Sequence, residues 1–368
     1  MKRLRNACFL VGIGLGMMST SLFAQSLQPG FNIDEYRTML SIDGQHGDSL
    51  YQSKIPQPIG YERIYLSPEV GLQNRWALWI NDNRTAVISL RGTVNNLTSW
   101  LANFHAAMIP AKGEIRIKHN SPFAYNLAEH PQAAIHVGWL IGIAALSETI
   151  LPKLDSLYRS GTKEVYITGH SQGGALAYLL NAYFMGRQRD GLLPNDIRFK
   201  TFCSAAPKPG NLFFAYDYES RTQGGWAFNV VNGADWVPET PMSIQTLNDF
   251  NVVNPFIGAK QTIRRTKAPL RWALKHAFNR LDKPSRRTVR NYRKYLGKTA
   301  GKLVKKELPD YSMPAFLRTN HYARTGQFVV LQPDVTYYQR FPNDPKQVFR
   351  HHMHEAYFFL LEKLVLPK

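Results

Sequence analysis

The stretch Val165-Tyr166-Ile167-Thr168-Gly169-His170-Ser171-Gln172-Gly173-Gly174-Ala175 decides the fold. Its opening residues are apolar or β-branched and read as a strand over 164–168. Residues 173–189 are rich in Ala and Leu and read as a helix. Ser171 sits at the junction, with Gly169 and Gly173 two positions away on either side. A G-x-S-x-G match alone arises by chance in about one chain of this length in ten. The strand before it and the small-residue helix after it make it a sharp turn that presents a serine. Such a turn needs glycines because its neighbours crowd it. The helix N-terminus then aims amide N–H groups at a reacting oxygen.

Elements of the same kind lie on both sides. Residues 75–80 and 85–91 are apolar runs split by Asn81-Asp82-Asn83, which predicts a hairpin. Residues 34–50 and 131–154 suit helices, and 198–205, 226–232 and 327–331 suit buried strands. Residues 352–366 suit a terminal amphipathic helix. Strands alternating with helices indicate an α/β sheet.

Composition limits the function classes. The chain has 368 residues, is 44% hydrophobic and carries 45 Lys plus Arg against 26 Asp plus Glu. It can bury a sizeable core and is not a disordered basic tail. Two cysteines, Cys8 and Cys203, exclude a disulfide scaffold and a Cys-rich zinc module. The net charge of +19 is local: three bases are Lys2, Arg3 and Arg5, and residues 260–306 hold 17 bases and one acid, Asp282. The remainder is neutral. The three early bases precede an apolar stretch over 9–18 and the small residue Ala24, which reads as a signal peptide over 1–24 and predicts export. Cys8 would leave with it.

A serine hydroxyl needs a base, and the base needs an orienting acid. In such folds the order is Ser, acid, His. Asp235 fits the acid, since it follows the strand at 226–232 after Gly233-Ala234, with Asp217 and Asp249 as weaker competitors. For the base, His276, His321, His351, His352 and His354 all follow in the chain, and spacing alone selects none.

With these residues in view, the chain resembles the fungal-type class 3 lipases, which have the α/β-hydrolase fold. Ser89-Leu90-Arg91-Gly92-Thr93 is similar to the family's oxyanion block, and Ala134 to Trp139 to its His-x-Gly-aromatic block. The nucleophile block has Gln172 where Leu is more usual. Ala206-Pro207-Lys208-Pro209-Gly210-Asn211 and Val230 to Pro238 match two further blocks, the second containing Asp235. The resemblance covers roughly 75–240 and thins beyond. It implies a secreted serine ester hydrolase, foremost a lipase on acylglycerol esters, with a phospholipase or polar-ester esterase as alternatives. A catalytically inactive fold used for membrane-surface binding is the rival of another class. No metal or cofactor is implied.

The resemblance also assigns roles. Ser171 is the nucleophile and Asp235 the acid. The family's His-x-x-Tyr context matches His354-Glu355-Ala356-Tyr357 and implies His354 as the base, with His352 and His351 next. Backbone amides of Thr93 and Gln172 would hold the oxyanion, the Thr93 hydroxyl adding a bond. His136 and His170 are read as structural. Residues 94–104 hold the lid position, with Leu97, Trp100, Leu101 and Phe104 at helical spacing, so a lid and a plain packing helix both stay open. Arg324 stands where the family has a structural His.

The implied layout is a signal peptide at 1–24, a hydrolase domain over 25–255 and 316–368, and a basic helical insertion at 256–315 between acid and base. In that insertion Leu270, Leu274, Ala277, Phe278 and Leu281 recur at helical spacing, as do Val289, Tyr292, Leu296 and Leu303. Two basic amphipathic helices joined at Pro284 are predicted. Packing on the hydrolase and docking on an anionic membrane surface both stay open, and nucleic-acid binding ranks behind them.

Overall fold

The computed structural model describes residues 27–119 and 121–365. The expected signal peptide at 1–24, with Cys8, lies outside them. Seven strands form the main sheet: β1 (Tyr61–Leu66), β2 (Trp76–Asn81), β3 (Ala86–Leu90), β4 (Glu164–His170), β5 (Arg198–Ser204), β6 (Ala227–Asn232) and β7 (Gln327–Leu331). Their order in space is their order in the chain. β1 to β3 pair antiparallel, and the expected hairpin sets Ile80 opposite Ala86. From β3 to β7 all pairs are parallel.

The central strands are buried on both faces, which is why they read as continuous apolar runs. Neighbouring residues feed opposite cores, as strand geometry requires. Ile88 and Ile167 face a core built with Trp139, Leu140, Leu176 and Leu180. Val87 and Tyr166 face another, built with Tyr36, Leu40, Tyr357 and Leu360. The helices that carry these residues are α1 (Ile33–Gly44), α3 (Val137–Arg159), α4 (Gln172–Arg189) and α8 (His354–Leu361). Between α1 and α3 lies the short α2 (Leu97–Phe104), and α5 (Leu212–Thr222) links β5 to β6. The result is an α/β-hydrolase-type sandwich of helix, sheet and helix.

Several boundaries differ from the sequence reading. The helix expected from 131 starts at Val137, because Ala134–His136 is a strand. It belongs to a small sheet with Met108–Pro110, Gly210–Asn211 and Tyr322–Ala323. The terminal helix starts at His354, and Arg350–His352 forms a separate 3-10 turn.

The basic segment lies between β6 and β7. Helix α6 (Leu270–Tyr292) runs straight through Pro284, and a π-helical stretch, Arg293–Thr299, joins it to α7 (Ala300–Glu307). The expected joint at Pro284 is therefore corrected. A proline removes one amide donor and crowds the carbonyl a turn earlier. Here that carbonyl belongs to exposed Arg280, where water can replace the lost donor. Ser285 Oγ donates to the Asp282 carbonyl at 2.9 Å and Arg286 pairs with Asp282, which ties the same turn together.

Candidate active site

β4 ends at His170 and α4 begins at Gln172, so Ser171 alone makes the turn. Its φ of +62° and ψ of −129° are strained for a residue with a Cβ. The crowding explains the glycines. A Cβ on Gly169 would lie 2.3 Å from the Gly173 carbonyl, and one on Gly173 2.1 Å from the Leu90 oxygen. The Ser171 amide donates to the Ser204 carbonyl at 2.9 Å, anchoring the turn to β5.

Asp235 lies just beyond β6, with its carboxylate fully buried. Oδ2 accepts from His352 Nδ1 at 2.7 Å and from the Tyr357 hydroxyl at 2.8 Å, while Oδ1 accepts from the Val237 amide at 2.9 Å. Tyr357 in turn accepts from the Asn232 amide at 3.1 Å, so the acid is held from its own strand as well. The competitors are engaged elsewhere: Asp217 pairs with Arg221, and Asp249 with Thr246 and Thr319.

The histidine at this acid is His352, which corrects the expectation of His354. The ring of His354 turns the other way, and its Nδ1 meets the Tyr51 hydroxyl at 2.7 Å. Burial first, then the rings of His352 and His46, pushes its pKa down to about 3. The His-x-x-Tyr spacing was real, but its tyrosine serves Asp235 rather than marking the base. His351 bonds Tyr337 at 2.7 Å, His276 lies exposed on α6, and His321 sits near Asp249.

His170 is more than a spacer. Its Nε2 lies 2.7 Å from the His352 carbonyl, so that nitrogen must carry the proton. Nδ1 is then an acceptor for Ser204 Oγ at 2.9 Å, and Ser204 accepts from the Tyr36 hydroxyl at 2.7 Å. Burial, with His354 and His352 nearby, holds the His170 pKa well below the ordinary value and keeps this tautomer neutral. The network fixes the backbone of the turn that presents His352. Asn232 Nδ2 clamps the preceding carbonyl, that of His351, at 2.8 Å.

Thr93 and Gln172 meet at the turn. The Thr93 hydroxyl donates to Gln172 Oε1 at 2.6 Å, and Asn103 Nδ2 donates to Thr93 Oγ1 at 2.8 Å. The hydroxyl proton is thus engaged with Gln172 and does not face a ligand, contrary to the expected extra bond. Gln172 is the first residue of α4, so its amide has no carbonyl one turn back to bond.

Ser171, His352, Thr93 and Gln172 share one cavity of about 690 Å³. Its walls are mainly apolar and include Trp100, Phe104, Trp236, Met242, Leu296 and Phe349. Helix α2 is packed on one side and lines the cavity on the other. Leu101 and Ala102 are buried, while Trp100 and Phe104 stack at 5.8 Å and line the cavity. Arg324 lies over the Phe328 ring at 3.6 Å.

A polar cluster at the cavity wall has no sequence signal. Asp43 accepts from Ser89 Oγ at 2.8 Å and Thr168 Oγ1 at 2.7 Å. Burial raises its pKa from 3.8 to about 8, against the opposing effect of those two bonds. An acid with a raised folded pKa costs no stability below its unfolded pKa. The cost grows from about pH 4 to about pH 8 and is constant above. Asp43→Asn removes it, so the variant should gain on the wild type across that window, by up to about 1.4 kcal/mol per pH unit. Urea midpoints at pH 5 and pH 8 test this, since an equal difference at both would mean that Asp43 is ionised in the fold.

The chain is similar to known proteins over part of its length. Residues 87–244 match the profile of the family described as lipase (class 3). A secreted mono- and diacylglycerol lipase of Malassezia restricta is 29% identical over 152 residues, which is 41% of this chain and 45% of that protein. Phospholipase A1-II 6 of Oryza sativa subsp. japonica is 28% identical over 181 residues, 43% of this chain and 40% of its own. The chain thus spans about half the length of the relatives it matches. Among solved structures, the Rhizomucor miehei lipase propeptide complex aligns at a TM-score of 0.42 with 18% identity, over 58% of this chain and 65% of that one.

Proposed function

We propose, from the match of residues 87–244 to the class 3 lipase family, that the chain is a serine ester hydrolase acting on acylglycerol esters. One observation carries the reading: a strained serine at a strand–helix turn shares a cavity with a histidine bonded to a buried aspartate. Ser171 Oγ attacks the ester carbonyl and His352 Nε2 accepts its proton. Asp235 fixes the Nδ1–H tautomer and stabilises the imidazolium. The amides of Thr93 and Gln172 receive the oxyanion, each such donor contributing about 3 kcal/mol. Collapse of the tetrahedral adduct breaks the ester C–O bond, and His352 returns the proton to the leaving alcohol. Water, activated by the same histidine, then releases the acid and restores Ser171.

The apolar walls suit acyl chains. Among the described lining residues neither a lysine nor an unpaired arginine stands ready for a phosphate, since Arg91 pairs with Glu69 at 2.8 Å. This favours a neutral acylglycerol over a phospholipid. The names of the Malassezia relatives, secreted mono- and diacylglycerol lipases, support that substrate class and an exported protein. Fatty-acid release from mono-, di- and triacylglycerol emulsions should exceed release from phosphatidylcholine by roughly tenfold or more. The opposite ranking would move the substrate class to phospholipids. No turnover of any ester would leave an inactive binding fold.

A further inference from the structure

We propose that the basic segment at 260–306 docks the protein on an anionic lipid surface through the exposed part of α6. The proposal stands apart from the chemistry of Ser171. It rests on how α6 is built and on what it touches at its two ends.

The first eight residues of α6, 270–277, are exposed. At 100° per residue, Leu270, Leu274, Ala277 and Leu281 fall within one sector of roughly 60°. Among the described residues that sector is left largely open, since Leu270, Leu274 and Leu281 are 56%, 40% and 77% exposed. The rest of the circumference is basic, with Arg271, Lys275, Arg280 and Arg287. Trp272, 74% exposed, sits among these bases. The single acid, Asp282, is buried and spent on Arg286. A narrow apolar stripe on a strongly basic helix is the pattern of a helix that lies in the plane of a bilayer interface.

The charge selects the occupant. The segment carries 17 bases against one acid, while the rest of the chain beyond Arg5 is neutral. A second copy would present the same positive surface and be repelled. A nucleic acid would use the bases but leave the leucine stripe in water. An anionic bilayer uses both, and each base that reaches the surface adds roughly fivefold to affinity.

The other end of the segment reaches the active site. Tyr292 and Leu296 line the cavity. The Leu296 carbonyl accepts from the Ala107 amide and from His105 Nδ1, both at 3.2 Å. Helix α7 packs on α2, where Thr98 Oγ1 donates to Glu307 Oε2 at 3.0 Å. Docking through α6 therefore brings lipid to an element continuous with the cavity wall.

The test uses the full chain carrying Ser171→Ala, so that vesicles are not consumed. It is co-sedimented with phosphatidylcholine vesicles and with vesicles one-third phosphatidylglycerol, at low and high salt. Binding to the anionic vesicles at low salt should be at least about tenfold tighter than to the neutral ones, and salt should weaken it. Arg271→Gln/Lys275→Gln/Arg280→Gln and Leu270→Gln/Leu274→Gln/Leu281→Gln should each lower it by roughly tenfold or more. The same triple variants with Ser171 intact should keep wild-type turnover of a soluble short-chain ester, which shows that the fold survives. Equal binding to both vesicle types overturns the proposal, as does full binding by the leucine variant. Binding to duplex DNA without binding to vesicles would assign the surface to nucleic acid and overturn it too.

Discussion

Replacing Ser171 by Ala is expected to lower ester turnover by roughly 10⁴–10⁶-fold while leaving the fold in place. That loss equals about 5–8 kcal/mol of transition-state stabilisation. Without the hydroxyl no acyl-enzyme forms, and the remaining groups can only polarise the carbonyl toward water. Stability should hardly change. Among the described residues the Ser171 side chain caps no helix and no hydrogen bond to it is found, so its removal leaves no buried group unpaired. Alanine keeps the same Cβ and therefore the same strain at φ +62°. The melting temperature should stay within about 2 °C of the wild type, and kcat should collapse. A variant that retained wild-type turnover would mean that another nucleophile does the work.

The sheet was legible because its chemistry is local. β4, β5 and β6 are buried on both faces, so each shows as a mainly apolar run despite the buried Lys200 and Asn229, and the Gly169–Gly173 turn announces a serine between strand and helix. The small sheet was not legible, because its strands are two or three residues long. No period-2 signal develops over that length. Ala134–His136 was therefore absorbed into the helix that follows it. Pro284 misled for the opposite reason: a strong local rule met an exposed helix able to tolerate it.

In the site, Ser171 and Asp235 sit at the carboxyl ends of β4 and β6, where such sheets place their chemistry. The base could not be read in the same way. Three histidines fall within four positions, His351, His352 and His354, and the choice among them is made by distant partners. Tyr337 takes the first, Asp235 the second and Tyr51 the third. Tyr51 lies 303 residues from His354, and no spacing rule spans that distance. The tilted ring of His170, 4.2 Å from that of His354, is likewise a product of the folded turn.

His352 and His354 should accordingly separate under mutation. His352→Ala is expected to cost about as much turnover as the loss of Ser171, roughly 10⁴–10⁶-fold, because it removes the only imidazole bonded to Asp235 among the described residues. His354→Phe keeps a ring of similar size and deletes both nitrogens. Its ring touches Tyr51 and His170 rather than Asp235, so kcat should fall by less than about tenfold. Its cost should appear in stability instead. The Tyr51 hydroxyl loses its acceptor, at about 1–3 kcal/mol if no water replaces it. Kinetics separate the two variants, with His352→Ala inactive and His354→Phe active, and urea unfolding should show His354→Phe weakened. The reverse pattern, with His354→Phe inactive and His352→Ala active, would return the proton to His354. That outcome would also require Asp235 to find a new partner, because a base without its orienting acid loses the tautomer on which the transfer depends.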